Sequence, residues 1–341
     1  MSDASDGRRA EGPGELNRTR EEPVLQVDGL RKHFVSRKGF PKPRTVTVRA
    51  VEDVSFSIRP GEAFGLVGES GCGKSTVARA LLRLVEPDAG RVLYRGEDLR
   101  TARGDALKAL RRKIQIVFQD PYSSLDPRQS IGSALVEPMH VHGIAEGAAA
   151  RRRAAGLLEE VGLPPAALDR FPHEFSGGQR QRIGIARALT VEPELIIADE
   201  PVSALDVSVQ AQVLLLMREL RQRRGLAFLF VSHDLSVVRW FCDRVAVMYL
   251  GRIVEEGPAA RVLADPLHPY ARMLRDASPV PDPRLRGELP RILGEIPSAA
   301  NPPPGCPFHP RCPAAMEVCS RVLPRWTSVE GQGGVACHLH G

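Results

Sequence analysis

Short apolar runs separated by polar turns organise the first part of the chain. Val24, Leu25 and Val27, then Val46, Val48, Val51, Val54, Phe56 and Ile58, fall at strand-like spacing and predict two β-strands. Between them Ser36 to Arg44 is basic and holds two prolines, the texture of an exposed hairpin loop. After Pro60-Gly61 the apolar run Ala63 to Val67 predicts a buried strand. A glycine-rich turn follows, and Val77, Ala80, Leu81 and Leu84 recur at helical spacing within Thr76 to Val85. The order is strand, glycine loop, helix.

Farther along, Ala106 to Leu110 reads as helix and Ile114 to Phe118 as strand, and 121–184 is mainly helical with polar interruptions. Strands are expected at Leu195 to Ala198, Ala227 to Val231, Val245 to Tyr249 and Ile253 to Glu255, with a long helix at Val207 to Arg224. Strands alternating with helices imply an α/β fold, its mostly parallel sheet covered on both faces. Residues 1–22 carry ten charges and four apolar side chains and are expected to be a disordered tail. Prolines 279, 281, 283, 290, 297 and 302–304 break regular structure, so a boundary is placed near Asp265, with an extended, cysteine-bearing appendage beyond it.

Composition narrows the function classes. With 43% hydrophobic and 26% charged residues in a chain of 341, one full-sized catalytic domain plus an appendage is expected. No apolar run approaches eighteen residues, so a membrane span is not expected. The charged start of the chain lacks the apolar core of a secretion signal, so export is not expected either. The net charge of +6 comes from 47 Lys and Arg against 41 Asp and Glu. Only Arg151 to Arg153 and Arg221 to Arg224 cluster, which argues against a nucleic-acid footprint.

Three segments carry the chemistry. Gly68-Glu69-Ser70-Gly71-Cys72-Gly73-Lys74-Ser75 fits the phosphate-cradling loop between strand and helix. Its glycines let backbone N–H groups, on through Thr76, converge on phosphate oxygens; Lys74 reaches the terminal phosphates and the Ser75 hydroxyl ligates magnesium. Leu195 to Ala198 ends in the carboxylates Asp199 and Glu200, placing Asp199 toward magnesium and Glu200 where it polarises the attacking water. Ser176, before Gly177, Gly178 and Gln179, is a helix N-cap with exposed amides, a second helix end built to meet an anion.

In this order the motifs resemble the ATP-binding cassette family, over about residues 24–265. Phe175 to Gln179 stands in place of that family's Leu-Ser-Gly-Gly-Gln signature, Gln119 occupies the Q-loop position, Ser203-Ala204-Leu205-Asp206 the D-loop, and His233 follows the Ala227 to Val231 strand. The resemblance implies a P-loop NTPase with a RecA-like core, an antiparallel β subdomain and a helical signature subdomain at about 121–185, together spanning 23–265. It implies ATP and Mg2+, with Gln119 contacting magnesium and reporting to membrane subunits, His233 holding the γ-phosphate, Asp206 coupling two sites, and Phe34 stacking on adenine. It further implies pairing of two cassettes, each chain's Ser176 to Gln179 meeting the other's nucleotide.

Phe118 to Arg128 and Asp199 to Gln212 look like the oligopeptide and dipeptide importer branch, its second ATPase subunit in particular. Leu267-His268-Pro269-Tyr270 and Gly305 to Cys312 resemble that branch's C-terminal extension, here 266–341. Resemblance to this branch implies an ATPase subunit on the cytoplasmic face of the membrane, two transmembrane permease subunits, a sister ATPase, and indirectly a solute-binding protein, with no nucleic acid. Nickel and glutathione importers share much of this pattern, and a soluble cassette ATPase of DNA repair or translation is the alternative from another class. Cys306, Cys312, Cys319 and Cys337 are spaced C-x5-C-x6-C-x17-C. Four thiolates on a loop-rich segment suit a [4Fe-4S] cluster, zinc being the alternative and no metal the third reading, with His309, His338 and His340 as rival donors.

Overall fold

The computed structural model describes residues 22–38, 44–120, 122, 124–277 and 294–341. The expected tail up to residue 21, the middle of the basic hairpin loop and prolines 279, 281, 283 and 290 lie outside the described residues.

Strands β1 (Leu25–Lys38) and β2 (Arg44–Ile58) form an antiparallel pair, and β3 (Ala63–Val67) runs through the glycine loop into helix α1 (Lys74–Leu81). Then come β4 (Ala89–Tyr94), β5 (Glu97–Asp98), α2 (Gly104–Lys113) and β6 (Ile114–Val117). Helices α3 (Ile131–Val141), α4 (Gly147–Glu160) and α5 (Gly177–Leu189) follow, then β7 (Leu195–Asp199), α6 (Val207–Arg224), β8 (Ala227–Ser232), α7 (Leu235–Phe241), β9 (Arg244–Tyr249) and β10 (Arg252–Pro258). The chain ends with α8 (Ala259–Val262), α9 (Pro269–Ala277), β11 (Thr327–Val329) and β12 (Gly333–Val335).

Two sheets result. One is antiparallel, in the order β2-β1-β4-β5; the other has eight strands in the order β11-β12-β10-β9-β3-β8-β7-β6. Its centre, from β9 to β6, is parallel. Every residue of β3, β7 and β8 is buried, as a parallel sheet covered on both faces requires. Side chains divide with the two-residue strand period. Phe64, Leu66, Leu195, Ile197, Leu229 and Val231 join α1 and the antiparallel sheet in one core, whereas Ala63, Val67, Ile196, Ala198, Phe228 and Phe230 join α3, α4 and α5 in the other.

The C-terminal residues are more integrated than an appendage. Strand β12 pairs with β10, Glu255 opposite Val335, extending the main sheet. Cys306, Phe308 and Cys319 belong to the same core as the signature helix α5. The ring of Phe308 meets Tyr249 at 5.3 Å and Tyr270 at 5.4 Å. Helix α9 lies within this region, and among its described residues the side chains of Phe308, Cys306 and Cys319 pack into the main core.

Candidate functional site

At the carboxyl end of the parallel strands, one pocket is lined by Ser70, Gly71, Gly73, Lys74, Ser75, Thr76, Gln119 and Glu200, together with Val48, Ala50 and Ala299. This is where ligands bind in open α/β sheets. Glycine is required at two loop positions. Gly68 has φ +154° and a Cβ there would lie 2.2 Å from Met248 O; Gly73 has φ +111° and a Cβ would lie 2.1 Å from Ala50 O. A side chain at either would force the loop off β9 or β2.

Lys74 is buried, and its Nζ donates to the loop's own carbonyls, Gly68 O at 2.8 Å and Glu69 O at 3.1 Å. The Ser75 hydroxyl donates to Asp199 Oδ1 at 2.9 Å, joining the start of α1 to the end of β7. Burial raises the Asp199 pKa, opposed by that hydrogen bond and the nearby cations. A hydroxyl and a carboxylate at this distance, with the Gln119 amide on the same pocket wall, form an oxygen donor set that fits magnesium.

Glu200 follows Asp199 with φ +49°, a region non-glycine residues rarely occupy, and its N–H donates to Val231 O at 3.0 Å. Strain of this kind concentrates at functional sites. Its Oε2 accepts from Gln119 Nε2 at 3.2 Å and stands 3.2 Å from His233 Nδ1. His233 lies between β8 and Asp234, whose side chain caps α7 through Ser236 N and Val237 N. The histidine side chain is 59% exposed.

Other expected residues lie apart. Ser176 caps α5, accepting from Gln179 N while Gln179 Oε1 accepts from Ser176 N. Gly178 packs against Val209, where a Cβ would meet Cγ1 at 2.2 Å, and a Cβ on Gly177 would meet Leu205 at 3.4 Å. Asp206 is the N-cap residue of α6. None of these lines the Lys74 pocket. Phe34, 42% exposed, pairs directly with Val48 across β1 and β2, so the two share a sheet face, and Val48 lines the pocket. Cys72, within the loop, is buried, and burial pushes its thiol pKa up.

The four C-terminal cysteines are free, and burial pushes Cys306 up to about 11, with Cys319, Cys337 and Cys312 adding to the shift. They are neighbours, yet among the described residues no three His, Cys, Asp or Glu side chains stand where they could hold a metal ion. The expected [4Fe-4S] or zinc site is therefore not assembled in this arrangement. Cys306 and Cys319 are packed into the main core while Cys337 clusters with Leu267 and Val335, and Cys319 Sγ accepts from Met316 N at 3.5 Å. The rival donors are engaged as well: His309, His338 and His340 bond the carbonyls of Cys306, Val322 and Leu267.

Spacing did not reveal several residues around the loop. Tyr270 and Arg311 reach Glu69 only through the fold, and Ala299 O accepts from Arg49 N at 3.0 Å beside the pocket. A second groove, of about 340 Å³, lies between the end of β6 and helices α3 and α5, lined in part by Phe118, Ser124, Glu137, Val141, His142 and Arg187. Gln181 Nε2 donates to Phe118 O at 3.4 Å across it. Among the described residues no helix is long and apolar enough to cross a membrane.

Comparison with known proteins agrees with this geometry. Residues 51–203 match the ABC transporter family and residues 254–319 the C-terminal region of oligopeptide/dipeptide transporters. The chain is 50% identical over 317 residues to a putative peptide import ATP-binding protein of Brucella ovis, covering 93% of this chain and 98% of that one. It is 49% identical over 325 residues to the oligopeptide transport ATP-binding protein AppF of Bacillus subtilis, covering 94% and 98%. Among solved structures, the dimeric ATP-binding cassette MJ0796 with ADP and Pi aligns at TM-score 0.59 and 29% identity over 69% of this chain and 98% of that one. The cbiO1 cassette of Clostridium perfringens aligns at 0.59 and 27% identity over 72% and 92%.

Proposed function

Because the chain belongs to the ATP-binding cassette family and is an ATPase of that family, we propose that it hydrolyses ATP to drive uptake of di- and oligopeptides through two transmembrane permease subunits. The observation that carries the reading is the Glu200 carboxylate, facing both Gln119 and His233 at the rim of the pocket that holds the phosphate loop.

ATP enters with its phosphates against the amides from Gly71 to Thr76 and the start of α1. Lys74 exchanges the Gly68 and Glu69 carbonyls for phosphate oxygens. Ser75, Asp199 and Gln119 would hold magnesium, which when bound neutralises charge on the phosphates. Glu200 orients the attacking water and accepts its proton, and His233 donates to the γ-phosphate. Phe34, on the face it shares with Val48, stacks on the adenine.

Ser176 to Gln179 lie outside the pocket of their own chain, which supports their acting on a partner's nucleotide, as does the dimeric state of the MJ0796 relative. Asp206, beside the signature contacts of Leu205, then couples the two sites. A sister ATPase is the partner we favour. The groove between β6, α3 and α5 takes a cytoplasmic loop of a permease, with Gln119 two residues beyond β6 linking dock to nucleotide. The chain then sits on the cytoplasmic face of the membrane, with a solute-binding protein delivering peptide from the far side. No step of this function runs through Cys306, Cys312, Cys319 or Cys337. Visible absorbance of protein purified without oxygen would identify an iron–sulfur centre, and metal analysis would identify zinc.

The test is uptake of labelled di-, tri- and pentapeptides, with nickel as control, by cells whose copy carries Lys74→Ala. Loss of peptide uptake with nickel uptake kept supports the reading. Loss of nickel uptake alone would assign the chain to metal import, and no change in either would overturn the transport role.

A further inference from the structure

Glu69, within the phosphate loop, turns its side chain toward the C-terminal region, and its three polar groups are all held. Its N–H donates to the Tyr270 hydroxyl at 2.8 Å, its carbonyl accepts from Lys74 Nζ at 3.1 Å, and its carboxylate accepts from both Arg311 Nη atoms, at 2.8 and 2.9 Å. Two-point pairing of guanidinium with carboxylate is the strong, directional form of this interaction.

Arg311 is committed to that task. Its side chain is 2% exposed, among the rings of Tyr249 and Phe308, each 5.9 Å from the guanidinium carbon, and Tyr249 Oη lies 3.5 Å from Nη1. A cation so deeply buried without a carboxylate would be costly. The backbone fixes its place too: Arg311 N donates to Phe308 O, His309 N to Cys306 O and Cys312 N to His309 O, while Cys306 N reaches Cys319 O. The turn carrying Arg311 is therefore bounded by Cys306 and Cys312 and tied to Cys319.

We infer that Arg311 is a positioning residue for ATP binding: through Glu69 it holds the phosphate loop open in the form that Lys74 and the loop amides present to the nucleotide. The C-terminal region thereby becomes part of the nucleotide site, although no atom of Arg311 reaches the phosphates. Lys74 rests on the Glu69 carbonyl, so fixing Glu69 on its amide and carboxylate sides sets where the lysine starts and how the next amides are aimed. Pre-ordering the loop in this way lowers the cost of ordering it on binding.

This rests on the reading of the loop as the ATP site, and the test separates the two. ATP affinity of the purified full chain is measured by calorimetry for wild type, Arg311→Met, Arg311→Lys, Glu69→Gln, Arg311→Met with Glu69→Gln, and Lys74→Ala. Arg311→Met and Glu69→Gln each weaken ATP binding by about tenfold, the double variant by no more than either alone, and Arg311→Lys by less than Arg311→Met. The double variant leaves neither an unpaired buried cation nor an unpaired carboxylate, so its ATP affinity remains informative if either single variant folds poorly. Wild-type ATP affinity in Glu69→Gln, or losses that multiply in the double variant, would overturn the inference while the ATP site stands. Unchanged affinity in Lys74→Ala would overturn the site reading itself, and the inference with it.

Discussion

One carboxylate oxygen of Glu200 faces two partners: Oε2 lies 3.2 Å from His233 Nδ1 and accepts from Gln119 Nε2 at the same distance. The end of β7, the segment after β6 and the turn after β8 thus meet at a single atom. The backbone of Glu200 is held at φ +49° to put it there. This arrangement orients the carboxylate at the mouth of the pocket.

Glu200→Gln is expected to lower the turnover number for ATP by at least about 100-fold, the scale of a lost general base, while ATP affinity stays within about twofold. The variant should accumulate an ATP-bound dimer visible by size exclusion. Steady-state hydrolysis by the purified assembly checks it, and undiminished turnover would remove Glu200 from the role.

Gly73→Ala places a Cβ 2.1 Å from Ala50 O at φ +111°. The loop must move away from β2, so ATP binding is lost and stability falls by about 1–3 kcal/mol. Calorimetric ATP binding and urea unfolding of the same protein report both effects together.

Phe34→Ala removes the ring opposite Val48 without touching the loop. The expected result is a KM for ATP raised by about fivefold with kcat unchanged, a loss of binding that ground state and transition state share. Steady-state kinetics over a range of ATP concentrations separates the two constants; an unchanged KM would assign Phe34 to the sheet alone.

His268 is buried and its pKa is lowered to about 3 from 6.5 by desolvation, with His340 and Arg272 adding to the shift. Its Nδ1 accepts from Tyr270 N at 3.0 Å. Between these values the unfolded chain carries a proton here that the folded chain refuses, so stability falls as pH drops below 6.5. One such group contributes a slope approaching about 1.4 kcal/mol per pH unit. In His268→Asn, which retains an acceptor for Tyr270 N, that contribution should disappear. Urea unfolding at several pH values between 7.5 and 5 compares the two slopes.

Much of this site was legible because its chemistry demands particular residues at fixed spacing. The Gly68 to Ser75 pattern, the apolar strand ending in Asp199 and Glu200, and the cap at Ser176 each mark a local necessity of strand end or helix start, and the corresponding β7, α5 and α6 lie close to the expected bounds. Strands β4 and β5 and helix α7 carry a weaker signal: in β4 only Val92, Leu93 and Tyr94 are large apolar residues in sequence, β5 is two residues long and α7 seven. The C-terminal region was harder for a different reason. Prolines announce where helices fail, but they say nothing about Phe308 entering the main core, Val335 pairing with Glu255, or Arg311 reaching Glu69 across 242 residues of sequence. The cysteine spacing suggested a shared metal, whereas packing divides the thiols between two clusters.

Whether ATP turnover at the Lys74 and Glu200 pocket drives peptide uptake is decided in liposomes. The complete transporter is reconstituted with ATP on the side of this chain, and labelled peptide uptake is measured against phosphate released. Uptake is expected to require ATP and to vanish together with hydrolysis when this chain carries Glu200→Gln. Peptide accumulation that continues in the Glu200→Gln transporter would contradict this expectation.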